Sequence, residues 1–354
     1  MSINSKFKAV LKASAFAAAG LVMLGATNAR ADIVISNWDG YMPADMMEQF
    51  TAATGIKAEL ALHATNEEIM GKVTASGGKG YDVVFVSSPF AEALNKLGLA
   101  AEMDHSKIPN VANLYPEAAE LVYDPENTFS MPYAWGTTGL CYRPDMVSGT
   151  PNSWNDLLKP SDDLKGKITM LSTDRWLMAA GALALGSSIN TKDQKEIDAI
   201  KNLLIDAKKN LLAYDDATFY AKLVSGEASL VHAWDGWCNY GIAENADIKY
   251  VIPKEGTDLW VDTMVVMENS ENKDEAFAFI NYVLSQDIGV WVASNILYKT
   301  PNKAAMEALD PGLIEAFPNM GLAPSDMLKN QMLRDLGKAQ KAYSKAVTEI
   351  LASQ

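Results

Sequence analysis

Trp260 and Asp262 stand two residues apart in the run I-P-K-E-G-T-D-L-W-V-D at positions 252–262. Pro253 and Gly256 interrupt the chain, and the extended run expected at 259–266 puts Trp260 and Asp262 on one face, because strand side chains alternate. An indole face attracts a cation and a carboxylate pairs with it, so the two types together suit a protonated amine. An isolated W-x-D is more often a packed indole with a turn-capping acid. Here the pairing recurs at Trp38-Asp39 and Trp234-Asp235, which favours a cation-binding role.

Other chemistries find less support. His63, His105 and His232 are scattered, and none sits in H-E-x-x-H or beside a G-x-S-x-G elbow. Gly77-Gly78 lacks the G-K-[ST] ending of a phosphate-cradling loop. Tyr240 and Tyr298 have no paired His or adjacent Tyr with which to hold ferric ion. No catalytic residue, metal site or cofactor is therefore expected.

Residues 1–31 read as a cleavable secretory signal. Lys6, Lys8 and Lys12 precede a short apolar run at 15–25, and Ala29-Arg30-Ala31 is an A-x-A cleavage site. Eleven or so apolar residues are too few to span a bilayer, so a periplasmic protein starting at Asp32 is expected. Loss of that segment takes the net charge from −14 to −18, which argues against nucleic acid and anionic membrane as partners. The remaining length exceeds what one core usually organises, so two domains are expected. Cys141 and Cys238 would meet an oxidising compartment; a disulfide and two small buried residues are both compatible with their positions.

From Asp32 the pattern alternates strand and helix. Strands are expected at 33–36, 57–62 and 82–86. Helices are expected to open at Pro43, at an Asn66 cap and at Ser88-Pro89, with Gly55 closing the first. Later strands are expected at 140–142, 167–171 and 230–232, and helices at 176–185, 191–208, 274–284 and 286–294. Such alternation implies α/β architecture with a mostly parallel sheet and flanking helices. Ligands of these sheets sit beyond the carboxyl ends of strands, where Trp38, Asp39, Tyr41 and Ser87 would lie. A helical tail from about Asp326 carries an apolar stripe of Met327, Leu328, Met332, Leu336, Tyr343 and Val347, expected to pack on the body.

The blocks N-W-D-G-Y-M-P, Y-D-V-V-F-V-S-S, M-P-Y-A-W-G-T-T-G, A-W-D-G-W, I-P-K-E-G-T-D-L-W-V-D and Y-K-T-P-N-K-A-A occur in this order. Together they resemble the bacterial spermidine/putrescine-binding proteins, periplasmic receptors of polyamine ABC transporters, over essentially the whole mature chain. The resemblance implies a two-lobed binding protein of type II with its ligand in the interlobe cleft. The first lobe would comprise 32–136 and 257–300 and the second 137–256, with a helical segment at 301–354 packing mainly on the second. It implies a monomer that holds a small amine and delivers it to a membrane permease. Ligand-binding roles are implied for Trp38, Tyr41, Ser87, Trp234, Trp260, Asp262 and Tyr298.

The departures from the family concern charge. The acid that some polyamine receptors carry two places after the first Trp is replaced here by Gly40, with Asp39 one place earlier. In the second lobe a Glu is common where Trp176 stands, leaving Asp174 to substitute beside Arg175; Asp235 is a further candidate. The late glutamine position holds Leu333, with Gln331 two places away. A rival ligand on the same fold is a zwitterionic ω-amino acid such as 4-aminobutyrate, its carboxylate meeting Arg175, Ser87 or a helix N-terminus.

Overall fold

The computed structural model describes residues 31–353. The signal-segment reading, apart from Ala31, lies outside the described residues. The chain has the expected α/β architecture, with nine strands among the described residues: β1 (Ile33–Asn37), β2 (Ala58–Leu62), β3 (Val83–Ser87), β4 (Met131–Tyr142), β5 (Ile168–Met170), β6 (Ala213–Tyr214), β7 (Leu230–Trp234), β8 (Lys249–Val251) and β9 (Leu259–Val266). Their order is β2-β1-β3-β9-β4-β7-β5-β6, with β8 also on β4. The outer pairings, β1 with β2 and β3, and β5 with β6 and β7, are parallel. β9 runs antiparallel to both β3 and β4, and β4 antiparallel to β7.

β4 is the strand on which the molecule divides. Its residues from Met131 to Thr137 pair with β9, whereas Thr138 to Tyr142 pair with β7 and, at their end, with β8. It is buried throughout, and therefore longer than the 140–142 strand expected from its tail. The chain returns to the first lobe between β8 and β9. It crosses again near Lys299, whose carbonyl accepts from Trp135 N at 3.1 Å. These backbone passages join two lobes, the arrangement in which a few residues can absorb a hinge motion.

Local chemistry sets the helix starts. Gly55 closes the Met46–Thr54 helix in the left-handed conformation, at φ 79°. The Asn66–Ser76 helix is capped by Thr65, whose side chain accepts from Glu68 N. Asn66 is therefore the first helical residue rather than the cap, and its amide is free for another use. The Ser88–Lys96 helix opens with a proline in its first turn, as expected.

The tail differs from the single helix expected after Asp326. Pro324–Met327 makes one short helix, and the chain then runs beside β9, Leu259 N donating to Gln331 O at 2.8 Å. Past Gly337, at φ 56°, the Gln340–Ala352 helix begins. The apolar stripe serves two cores. Met327 and Met332 fill the cluster containing Leu94, Trp135 and Leu259, while Tyr343 and Val347 join the other. One straight helix cannot face both, so the chain breaks between them. The last helix lies on the Asp174–Ala184 and Gln194–Lys208 helices, tied by Lys201–Glu349 at 2.7 Å.

Cys141 of β4 and Cys238 of the Asp235–Glu244 helix are joined as a disulfide, with Cα atoms 5.8 Å apart. The bridge fixes a helix against the shared strand within the second lobe. Its ends are separated by 97 residues, and a cross-link over that span removes considerable chain entropy from the unfolded state. Replacing both cysteines by serine should lower the unfolding free energy by about 2–4 kcal/mol, measured by denaturant titration.

Candidate functional site

Strand ends from both lobes open onto one cavity of about 540 Å³. β1 delivers Trp38, Asp39 and Tyr41 just past its carboxyl end; β2 delivers His63, β3 Ser87 and β7 Trp234. β9 runs the other way, so its early residues Trp260 and Asp262 reach the same edge. Tyr298, from the last crossing segment, completes this part of the lining.

The geometry converges on Asp262. Tyr41 Oη donates to its Oδ2 and Ser87 Oγ to its Oδ1, both at 2.7 Å. Ser87 lies opposite Asp262 in the β3–β9 ladder. It is held there by Asn66, whose Oδ1 accepts from Ser87 N at 2.9 Å and whose Nδ2 donates to Ser87 Oγ at 3.1 Å. Each carboxylate oxygen has two lone-pair sites, so two remain for a donor from the cavity. Burial raises the Asp262 pKa, and the Ser87 and Tyr41 hydroxyls draw it back. Burial also raises the Tyr41 hydroxyl, helped by the neighbouring Asp262 charge, so Tyr41 remains a proton donor.

Aromatic edges surround this carboxylate. Trp260 meets Tyr298 at 4.7 Å between ring centroids and Trp38 meets Tyr41 at 5.5 Å. Across the cavity Trp176 meets Trp234 at 5.7 Å. Two glycines make room for the first pair. A Cβ on Gly136 would lie 2.3 Å from the Trp260 ring, and one on Gly236 only 1.8 Å from Tyr298. The G-T-T and D-G-W motifs are thus required for the rings to rest against backbone.

The remaining expected residues divide. Asp39 lines the cavity although it is one place early, because β1 has ended and alternation no longer dictates its direction. Asp174 does not line it. It opens the Asp174–Ala184 helix, and two residues of helix turn a side chain through about 200°; Trp176 lines the cavity, whereas Asp174 accepts from Ser344 Oγ at 2.8 Å, still close enough to Glu67 for its charge to act there. Asp235 is likewise displaced. It follows Trp234 at the end of β7 and turns beneath the cavity, accepting from Thr137 N at 3.1 Å and Gly236 N at 3.0 Å. Arg175 is buried on the outer side, donating to Arg334 O at 2.6 Å and Asn190 Oδ1 at 2.8 Å. Gln331 Oε1 accepts from Ser188 and Ile189 at 3.2 Å.

The structure adds lining residues that the sequence reading does not reach: His63, Asn66, Glu67, Thr173, Trp176, Asp216 and Trp237. Asp216 lies in the loop after β6, where no periodicity marks it. Trp176 is legible only as the residue that replaces an expected Glu. His63 is held neutral, its pKa lowered to about 4 chiefly by burial. Four carboxylates line the cavity, Asp39, Glu67, Asp216 and Asp262, and among the described residues no Lys or Arg does.

A cleft between two α/β lobes, with carboxylates and aromatic rings at strand ends, is the form of a solute receptor. The model of the bacterial extracellular solute-binding protein family matches residues 45–308, and the chain belongs to that family. It is 33% identical over 344 residues to the spermidine/putrescine-binding periplasmic protein of Escherichia coli (strain K12), covering 95% of this chain and 97% of that one. Among solved structures it is similar to a spermidine/putrescine ABC transporter protein from Listeria monocytogenes, at TM-score 0.81 and 30% identity, covering 91% and 99% of the two chains. The substrate-binding protein PotD from Streptococcus pneumoniae follows the same fold, at TM-score 0.77 and 28% identity over 90% and 98%. The resemblance drawn from the motifs is therefore borne out. Proteins of this kind bind a small ligand and deliver it to a permease.

Where the passages between lobes meet, Asp235, Asp258 and Lys299 are buried, and the buried Arg175 lies close enough to Asp258 for its charge to act there. Burial raises Asp235 and lowers Lys299, and each draws the other back toward its charged form. Arg175 is lowered to about 10 by burial. Asp258 is raised to about 6, chiefly by burial, with the Thr138 hydroxyl and the Arg175 charge opposing; its Oδ2 has no hydrogen-bond partner among the described residues. Because 6 exceeds the ordinary 3.8, the folded state binds this proton more tightly than the unfolded state. Its contribution to stability is full below the ordinary value and lost as pH rises through about 6. The unliganded melting temperature should therefore fall between pH 5 and 7, with a shallower slope in Asp258→Asn, measured by scanning calorimetry.

Proposed function

We propose that this chain is a periplasmic receptor that captures a polyamine, putrescine or spermidine, and hands it to the permease of an ABC transporter. It acts as a monomer and carries out no catalysis. The observation that carries this reading is the charge of the cavity, lined by four carboxylates and, among the described residues, by no lysine or arginine. The names of the relatives point the same way.

The lobes are taken as 32–136 with 257–300, and 137–256, the 301–354 segment running over both before its last helix. Export through residues 1–31 accounts for the disulfide, since such bonds persist in oxidising compartments.

The energetics suit a diamine. A protonated amine on Asp262 gains a charge-assisted hydrogen bond of about 1.5–3 kcal/mol, and indole or phenol faces about 0.5–2 kcal/mol more. Methylenes between the aromatic walls add about 0.8 kcal/mol each. A zwitterionic amino acid fits less well. Its carboxylate would meet other carboxylates, because Arg175 is spent on backbone and amide oxygens outside the cavity.

Titration calorimetry with putrescine, spermidine and 4-aminobutyrate tests the proposal. The two polyamines should bind and raise the melting temperature by mass action; binding of 4-aminobutyrate alone would overturn the reading. Asp262→Asn should weaken polyamine binding by about 1.5–3 kcal/mol with the unliganded melting temperature nearly unchanged. An unaltered dissociation constant would move the amine elsewhere.

A further inference from the structure

Two residues of the first lobe decline the local role that their places in the chain suggest. Ser87 is the N-cap of the Ser88–Lys96 helix, where a serine oxygen ordinarily accepts from a backbone N–H of the first turn; its side chain makes no such bond. Asn66 opens the Asn66–Ser76 helix, but Thr65 supplies that cap. Both side chains turn instead toward one another and, through Ser87, toward Asp262.

Chemistry fixes the direction of every proton along this path. Ser87 N is a donor only, so the amide atom 2.9 Å from it is the Asn66 oxygen. The other amide atom, 3.1 Å from Ser87 Oγ, is then the nitrogen, which donates and does not accept. Ser87 Oγ must therefore accept from Asn66, and its single proton is left for Asp262 Oδ1 at 2.7 Å. Tyr41 Oη commits its proton to Oδ2, also at 2.7 Å, and burial with the Asp262 charge keeps that phenol protonated.

A serine hydroxyl with no amide behind it is free to rotate and to present its proton to the cavity. We propose that Asn66 is a positioning residue for ligand capture: it donates to Ser87 Oγ, sends the Ser87 proton to Asp262, and leaves this end of the cavity with lone pairs only. The inference rests on the amine reading of Asp262. It explains why an amide suits this place better than an acid. A carboxylate at position 66 would accept at both of its atoms and draw the Ser87 proton away from Asp262.

The relay has a signature in acid. Burial raises the Asp262 carboxyl, and the Ser87 and Tyr41 hydroxyls oppose this, so loss of the Ser87 proton should raise it further. The other titratable groups within reach of its charge are Tyr41, Tyr123, Tyr133 and Tyr298, all pushed above the ordinary phenol value by burial, and none of them titrates in acid. Asp39, Glu67 and Asp216 share the cavity, but the bonds of Asn66 and Ser87 do not run to them.

Putrescine calorimetry across about pH 4–8 on the wild type, Asn66→Ala, Ser87→Ala and the double variant tests this. Asn66→Ala should bind about threefold more weakly at neutral pH, because binding must then refix a hydroxyl spread over three staggered wells. Its acid midpoint of binding should move to higher pH, and Ser87→Ala should move that midpoint at least as far. In the Ser87→Ala background, Asn66→Ala should change neither quantity, since the relay runs through one hydroxyl. A backbone effect would persist there, because Asn66→Ala unpairs Ser87 N in either background. Asn66 is half-buried at a helix start, where alanine is well tolerated. An unmoved midpoint and affinity in Asn66→Ala, or an effect that survives without the hydroxyl, would overturn the proposal and leave the Asp262 site standing. Failure of the wild type to bind putrescine would remove the amine reading, and this proposal with it.

Discussion

The carboxylate of Asp262 is the charge on which the rest of the cavity depends. A carboxylate under aromatic walls has lost much of its water, and the two hydroxyls of Tyr41 and Ser87 replace part of that shell at 2.7 Å. They come from the turn after the first strand and from the end of the third, and Asn66, in the helix before the third strand, holds Ser87 in place. Four parts of the first lobe thus converge on one charge. The group stays partly unsatisfied, and that is the condition for taking up a donor from outside.

The scaffold itself pulls the other way. Strands of both lobes feed helices whose N-termini point toward the cleft, among them Asn66–Ser76, Ser88–Lys96 and Asp235–Glu244, and such termini favour anions. This chain counters with acids in those first turns and around the cavity: Glu67 and Asp235 in the helices, Asp39, Asp216 and Asp262 elsewhere. The net field that a ligand meets follows from this excess of carboxylate over helix dipole.

Closure and recognition share one piece of backbone. β4 pairs with β9 in one lobe and with β7 in the other, and Gly136, just before the switch, is where Trp260 rests. Asp235 accepts from Thr137 next to it, and Tyr298 lies against Gly236 at the start of the adjoining helix. A change in the angle between lobes would therefore be felt by the rings that line the cavity. Buried charges at this junction have their protonation set by burial, so the hinge carries an electrostatic load apart from that of the cavity.

The sequence by itself determined the alternation of strand and helix, the two-lobed architecture and most of the first-lobe lining of the cavity. Trp260 and Asp262 lie along one strand face and Ser87 ends a strand, where period-two alternation fixes direction; Trp38 and Tyr41 follow the end of the first strand, and the order of motifs placed the chain in a known family. The tail stripe was legible as apolar, but not as a chain divided between two cores. Only the tertiary structure decided the second-lobe charge. Asp174 and Trp176 compete for the cavity on a helix that can present just one of them, and nothing local says which. Asp216 comes from a loop fixed by Ser172 and Thr173 some forty residues earlier, and a pairing across such a distance leaves no mark in spacing or period. Side-chain direction at helix starts and in loops is set by what packs behind them, and that is known only once the chain has folded.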